Sequence, residues 1–392
     1  MNKDEKRIIT LTTASHSLVH LLEGVLPPLI PLMMAEFGTD YFHLGLIVTV
    51  FSYAFGIGSL PAGYLADRVG PRRLITLYLF GAGAMGVAVW PLSSLFTYGV
   101  LMGFIGLFCS TYHPASNTLI SLSVREKGKA FGIHGIAGSL GVAVVPVLSA
   151  WIGTAMGWRA PHVCFGLLGI GVGLYSLSIP RPVAPSIKVS GKINPDQSTD
   201  SISYINLVIF FLSAMSLGLT YKGIMTFLPS YMGENVQLSF MTNKVALGGT
   251  VATIALLSGA LGQYLAGRGV DRYRAERLYL GAIFMGTIFV FLMAASSGMT
   301  LVAAAVLYAF FYFSTQPIQN YILSTYLPKH RHGLGYGIHF FVTFGIGSTS
   351  AAVCGYLADH FGLKVVFYAM GICFILAFCL SSILLFRISG KK

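Results

Sequence analysis

One charged pattern occurs twice in this chain, first as Gly63-Tyr-Leu-Ala-Asp67-Arg68-Val-Gly-Pro-Arg72-Arg73-Leu74 and again as Gly267-Arg-Gly-Val-Asp271-Arg272-Tyr-Arg-Ala-Glu-Arg277-Leu278. In both copies the aspartate follows the first glycine by four residues, and the last arginine follows the aspartate by six. Each copy comes directly after a long apolar run. The chain is therefore predicted to consist of two similar halves.

Two further pairs of segments occur in the same order in both halves. Ser110-Thr111-Tyr-His113-Pro114-Ala-Ser-Asn117 corresponds to Ser314-Thr315-Gln-Pro317-Ile-Gln-Asn320, and Gly132-Ile-His134 corresponds to Gly337-Ile-His339. A weaker similarity relates Gly63-Tyr-Leu-Ala-Asp67 to Gly355-Tyr-Leu-Ala-Asp359. Repeated three-helix units within each half would explain it. Repeated bundles around a central cavity are what alternating-access transport requires.

The composition identifies the class of protein. Of 392 residues, 55% are hydrophobic and only 10% are charged, whereas soluble proteins carry about 25% charged residues. So few charges cannot cover a soluble globule of this size, which excludes an ordinary soluble enzyme, a disordered chain and a fibre. The apolar runs are about 20 residues long, the length at which a helix crosses a lipid bilayer, and they lack the short alternating segments of a barrel.

We predict an all-α integral membrane protein with twelve transmembrane helices in two pseudo-symmetric six-helix bundles. The bundles are residues 1–180 and 204–392, and the proline-containing polar stretch 181–203 is predicted to be a cytoplasmic linker. The predicted spans are 8–36, 44–66, 74–92, 95–123, 130–154, 162–180, 204–232, 245–267, 278–295, 300–326, 335–358 and 365–387.

The basic residues predict the orientation. When the loops are assigned alternately to the two sides, most of the 25 Lys and Arg residues fall on the side that carries both termini and the linker. By the positive-inside rule this side is cytoplasmic, so we expect a multi-pass protein of the cytoplasmic (inner) membrane with both termini inside. The bilayer accounts for the net charge of +12, and no nucleic-acid partner is expected.

The loop after the second span resembles the signature G-x-L-A-D-R-x-G-R-[RK]-x-[RK] of the major facilitator superfamily. Gly63, Leu65, Ala66, Asp67, Arg68, Gly70 and Arg72 match it, while Pro71 and Leu74 depart from it. The resemblance implies the twelve-helix transporter fold and a monomer. We interpret Asp67, Arg68 and Arg72, with Asp271 and Arg272 of the repeat, as a conformational latch on the cytoplasmic side; the alternative is topological anchoring by the arginines alone.

Within that superfamily, the chain is most similar to fosmidomycin-resistance-type drug exporters. The similarity rests on Ser15-His16, on Tyr112-His113-Pro114-Ala-Ser116 and on Gly355-Tyr-Leu-Ala-Asp359. Gly132, Gly141 and Pro146 also fit an antiporter pattern in the fifth span, although Val145, Ser149 and Ala150 replace its other glycines. The resemblance implies drug efflux by proton antiport.

Ionisable residues inside the spans predict where the chemistry occurs, because each costs at least ~2.5 kcal/mol to insert. His16, His20 and Glu23 are spaced to lie on one face of the first helix, with Glu23 and His20 near mid-depth. We predict Glu23 as the proton carrier, with His20 and His16 in support. Structural hydrogen bonding by the acid, or packing by the histidines, is the alternative.

The remaining polar residues of the spans are predicted to meet a substrate or to gate the path. The predicted substrate-binding residues are His113, Lys222, Asn117, Gln316, Asn320 and Tyr221. Lys222 suits an anionic substrate or a counter-ion to Glu23, and snorkelling to the membrane surface is the alternative. His134 and His339, one turn inside the cytoplasmic face, are predicted gating or interfacial residues.

Three functions remain open. The first is proton-coupled export of a small organic compound or drug; the second is proton-coupled symport of an organic anion; the third is divalent metal transport through a His/Glu site. Three ligands on consecutive turns of one helix cannot converge without help from another, so no metal ligand is assigned. The chain lacks GxxxxGK[ST], a nucleophile elbow and HExxH, so we expect no enzyme activity and no cofactor. The expected partners are a small-molecule substrate and protons.

Overall fold

A computed structural model describes residues 1–179, 203–327 and 332–389, with the backbone alone at residues 67 and 332–334. Its regular structure is helical, which confirms the predicted all-α fold. The helices are α1 Lys3–Glu23, α2 Ile30–Phe37, α3 Tyr41–Val69, α4 Pro71–Ala88, α5 Leu95–Ser110, α6 Tyr112–Ser123, α7 Lys127–Met156, α8 Arg159–Leu177, α9 Tyr204–Asn235, α10 Lys244–Gly269, α11 Ala275–Ala295, α12 Gly298–Tyr326, α13 His332–Phe340, α14 Thr349–Phe361 and α15 Leu363–Ser389.

These helices form twelve spans, because α1 with α2, α5 with α6, and α13 with α14 each build one interrupted crossing. Eleven of the spans among the described residues are long and apolar enough to cross a membrane. The twelfth is α4, which begins with the polar sequence Pro71-Arg72-Arg73. The predicted linker 181–203 lies outside the described residues, apart from Ser203 at the start of α9.

The first, fourth and eleventh spans, each predicted as one segment, are interrupted. The Gly24 N–H closes α1 on the carbonyl of His20, and the chain then turns through a 3₁₀ segment at Pro27–Leu29. Pro114 has no N–H for the carbonyl of Ser110, which instead accepts the Ser59 hydroxyl at 3.4 Å. Residues 341–348 form a π turn followed by a 3₁₀ turn. Such breaks expose backbone polar groups within the membrane, where they line protein cavities.

Close backbone contacts join the two halves. Helix α3 packs along α14, and α7 packs along α10. A Cβ on Gly45 would lie 2.3 Å from the carbonyl oxygen of Ala351, and a Cβ on Gly249 would lie 2.4 Å from that of Pro146. Only glycine fits at these crossings, so the halves approach more closely there than side chains would allow.

The face opposite the termini is closed by a carboxylate. Asp359, at the end of α14, accepts the backbone N–H groups of Tyr41 at 2.9 Å and Phe42 at 2.8 Å, at the start of α3. One half thus supplies a capping acid to a helix N-terminus of the other half. The Tyr41 hydroxyl also donates to Glu234 at 3.1 Å.

At the face that carries both termini, the hydrogen bonds recorded among the described residues instead run within each half. The Met1 amine donates to Glu126 at 3.2 Å in the first half, and Arg274 donates to Ser389 at 3.2 Å in the second. The space between the halves is therefore closed on the Asp359 side, and the cavity described below extends toward the termini.

The predicted latch residues lie on the face that carries the termini. Arg68 is exposed and stacks on Tyr64 of its own helix, and Arg72 donates to the carbonyl of Ile179 in its own half. Asp271 and Arg272 are exposed beyond the end of α10. The side chain of Asp67 lies outside the described residues, so a latch between the halves stays a prediction.

The two copies of Gly-Tyr-Leu-Ala-Asp provide a matched test of the closed face. A Cβ on Gly355 would lie 2.4 Å from the Tyr41 carbonyl oxygen, whereas nothing lies within 4 Å of one on Gly63. Gly355→Ala should therefore destabilise closure by ~1–3 kcal/mol, a roughly fivefold to 150-fold shift toward opening, and Gly63→Ala should not. The rate of maleimide labelling at Thr49→Cys, which is buried between the halves, measures this in a chain without native cysteines. Equal rates in both variants would contradict this account of the closed face.

Candidate substrate and proton site

A cavity of about 320 Å³ lies between the two halves. Its walls come from α1, α3, α6 and α7 of the first half and from α9, α10, α12, α13 and the 341–348 segment of the second. They include the predicted residues His16, His20, Glu23, His113, Asn117, His134, Tyr221, Gln316, Asn320 and His339. A smaller space of about 50 Å³ adjoins it at His20, Glu23 and Tyr221, and it also contains Lys222.

An ion pair beside the cavity joins the halves: Glu23 lines both the cavity and the smaller space, and Lys222 lines the smaller space. Glu23 is the last residue of α1, and its Oε1 accepts a hydrogen bond from the ammonium of Lys222 on α9. The side chains are only 11% and 6% exposed, so the pair is shielded from water. Lys222 therefore points into the protein, and it does not snorkel to a membrane surface.

His20 extends this pair along α1. Its Nδ1 lies 3.0 Å from the second carboxylate oxygen of Glu23, one turn away on the same helix face. The carboxylate thus lies between an ammonium and an imidazole. Lys222, Glu23 and His20 form a continuous hydrogen-bonded chain that opens into the cavity through the His20 ring.

His16 is held one further turn along α1. Its Nδ1 lies 2.7 Å from the backbone carbonyl of His134, and the two rings stack with centroids 4.1 Å apart. A carbonyl oxygen can only accept, so the proton is on Nδ1 of His16. The ring lies over Gly138, where a Cβ would come within 2.4 Å of it. The absence of a side chain at Gly138 therefore leaves room for the His16 ring.

His113 is brought to the same place by the break in the fourth span. The Tyr112 hydroxyl donates to the carbonyl of Thr12 at 2.5 Å, which ties the start of α6 to α1. The ring centroid of His113 then lies 5.2 Å from that of His16 and 5.8 Å from that of His20. The first half thus collects four imidazoles on one wall of the cavity.

The opposite wall is built from amides and aromatic rings. His339 Nε2 lies 2.9 Å from the Gln319 side-chain oxygen, and Gln263 donates to Gln316 at 2.6 Å. Gln263 also accepts the Ser139 hydroxyl at 2.5 Å, which joins the halves within the cavity. This wall can supply both donors and acceptors to a polar ligand.

The structure brings the predicted proton, substrate and gating residues together around the cavity and the smaller space, and it adds others. The predicted latch residues whose side chains the structure describes do not line either space. His134 and His339 lie on the cavity walls and are buried. Any gating role would therefore act within the cavity and not at the membrane surface. Gln263 was missed, although it is a lone amide in the apolar run of α10 and could have been noticed. Tyr312 was also missed; its ring stacks on Tyr221 at 5.6 Å, but nothing distinguishes it in the aromatic run of α12.

Known proteins are similar to this chain in sequence or in fold. The probable L-galactonate transporter of Escherichia coli K12 is 28% identical over 256 residues, which are 60% of this chain and 55% of that protein. This chain thus spans about half the length of that relative. The cis,cis-muconate transport protein of Acinetobacter baylyi is 22% identical over 357 residues, covering 86% of this chain and 84% of that protein.

A solved structure shows the same fold. It is that of a bacterial homolog of the human lysosomal transporter Spinster, in an inward-facing and unoccupied conformation. It superposes with a TM-score of 0.81 at 13% identity, covering 98% of this chain and 97% of the other. The sequence model of the Major Facilitator Superfamily matches residues 12–351 and again 210–392. Since the family model matches almost the whole chain, the protein belongs to the Major Facilitator Superfamily.

Proposed function

We propose that the chain is a proton-coupled symporter of a small organic anion, with a carboxylate as the group that Lys222 recognises. The observation that carries the proposal is the buried ion pair between Glu23 and Lys222, which joins the halves where the cavity and the smaller space adjoin. Among the described residues that line the two spaces, Lys222 is the one ammonium, and it pairs there with Glu23.

The charges suggest how the anion and the proton are coupled. A substrate carboxylate that enters the cavity can pair with Lys222 in place of Glu23. The Glu23 carboxylate is then buried without a cation, and protonation removes this unfavourable charge. His20, hydrogen-bonded to Glu23 and facing the cavity, is placed to deliver the proton. Anion and proton therefore bind together, which is symport.

The same exchange can drive alternating access. The pair links α1 of one half to α9 of the other. When a substrate anion replaces Glu23, the halves lose this direct interaction at mid-depth. A ligand shifts a conformational equilibrium only by its difference in affinity for the two states. A bound anion that contacts Lys222 and the amide wall would supply that difference when the halves rock about the cavity.

The relatives support an anionic substrate. The two curated relatives named above are called transporters of L-galactonate and of cis,cis-muconate, and both compounds are carboxylates. A substrate carboxylate would also give the Lys222 ammonium a function, since a charge inside a span is costly and by default marks a functional site.

Drug efflux by proton antiport, which the resemblance to fosmidomycin-type exporters implied, stays a prediction. It requires that substrate binding release a proton, whereas the proposed symport requires that binding take one up. In the fifth span, a Cβ on Gly141 would lie 2.7 Å from the Ser17 carbonyl oxygen. Helix packing therefore accounts for that glycine without an antiport role.

We further propose a cytoplasmic-membrane location with both termini inside, on the basis of the basic residues beside the terminal face. The cavity then opens to the cytoplasm and the Asp359 side is closed toward the exterior. The protein is proposed to act as a monomer, because the cavity is complete within one chain.

Transport in proteoliposomes tests the proposal. A proton gradient directed inward should drive uptake of one or more carboxylates from a panel that includes galactonate and muconate. Lys222→Gln should abolish uptake. Glu23→Gln should retain anion exchange but lose its acceleration by the gradient. Lys244→Gln, a neutralised lysine on the exposed end of α10, is the matched control and should behave as the wild type. Uptake that Lys222→Gln leaves intact would overturn the proposal.

The ion pair should also contribute to the free energy of unfolding. Glu23→Gln or Lys222→Gln alone leaves an unpaired buried charge and should destabilise the protein by ~3–5 kcal/mol, whereas the double variant should recover most of that loss. Thermal unfolding in detergent measures the double-mutant cycle. If the two single losses simply add in the double variant, the residues are not paired as described.

A further inference from the structure

Three imidazoles from two helices converge on one point of the cavity wall. One ring nitrogen from each of His16, His20 and His113 lies within 4.8 Å of the others. Nitrogens around a tetrahedral zinc ion, with Zn–N bonds of about 2.0–2.1 Å, lie about 3.4 Å apart. Small rotations of the rings would therefore close this set around an ion. His113 of α6 supplies the ligand from a second helix that α1 alone cannot offer.

In two of these rings, Nδ1 is hydrogen-bonded in the way that is typical of metal-binding histidines. His16 donates its Nδ1–H to the carbonyl of His134 at 2.7 Å, and His20 Nδ1 lies 3.0 Å from the Glu23 carboxylate. In metal sites the other ring N–H is held in this way by a carbonyl or a carboxylate, which fixes the tautomer and the orientation. Nε2 of each ring is left with its lone pair available.

We propose that His16, His20 and His113 form a binding site for one divalent transition-metal ion of the zinc, nickel or cobalt kind. Three neutral imidazoles suit such ions and do not suit Mg²⁺ or Ca²⁺, which take oxygen ligands. All three residues line the cavity, so the fourth coordination position faces the space where the substrate is proposed to enter. The site rests on the histidines and does not depend on the organic anion.

The site also predicts an effect of Glu23 that differs from its proposed role with the proton. Glu23 is not a ligand in this site; its carboxylate orients His20 through the hydrogen bond to Nδ1. Removing such an outer partner lowers metal affinity by about 10–100-fold, whereas removing a ligand should lower it by more. Glu23→Gln should therefore weaken metal binding and leave it measurable.

Titration of the full-length protein in detergent with Co²⁺ tests the proposal. The visible absorption bands of Co²⁺ report its coordination, and calorimetry gives the stoichiometry. We expect one ion per chain and a loss of at least ~100-fold in affinity for His16→Ala, His20→Ala or His113→Ala. The control is the double variant His43→Ala/His360→Ala, which removes two exposed histidines outside the cavity and should bind as the wild type.

His→Gln versions of the three variants are measured alongside, because glutamine fills the space of the ring and preserves hydrogen bonding where alanine could unfold the wall. Absence of a cobalt spectrum in the wild type would overturn the proposal. So would binding that survives His113→Gln, or binding that is lost only in the His43/His360 double variant. None of these outcomes bears on anion transport, so the metal site and the proposed function fail separately.

Discussion

The structure depends on the rule that a charge buried in a membrane protein must be neutralised by a partner. Glu23 and Lys222 pair across the two halves, and both side chains are largely buried, so each charge depends on the other for neutralisation. The halves are therefore joined at mid-depth by an interaction that a charged ligand or a proton can replace. Apolar packing between the same helices would offer no such control.

The interruptions of the helices make this site possible. Glu23 lies at the end of α1, where Gly24 and two prolines turn the chain, and His113 lies at the break between α5 and α6. A continuous helix satisfies its own backbone and presents only side chains, whereas a broken one also brings its ends to the cavity. The glycine contacts between α3 and α14 allow the opposite face to close tightly around the same cavity.

The sequence predicted the elements that periodic hydrophobicity and repetition encode. The twelve spans and the polar residues of the cavity were recognisable because length and burial in lipid leave a strong signal. The breaks at Pro27 and at 341–348 were missed, since proline is also found in unbroken membrane helices and a π turn has no composition of its own. Nor could the sequence show that His16 bonds to the backbone of His134, because every residue has a carbonyl. The convergence of His113 with α1 depends on tertiary packing, which spacing along one helix cannot reveal.

The central claim is that an anion displaces Glu23 from Lys222 and that Glu23 then takes a proton. The most direct measurement is the number of protons exchanged with the medium when a carboxylate binds to the purified protein in weakly buffered detergent. The account predicts uptake of about one proton for each anion bound by the wild type, and none by Glu23→Gln, in line with the charge lost on a buried carboxylate. Binding without proton uptake, or release of a proton on binding, would contradict it.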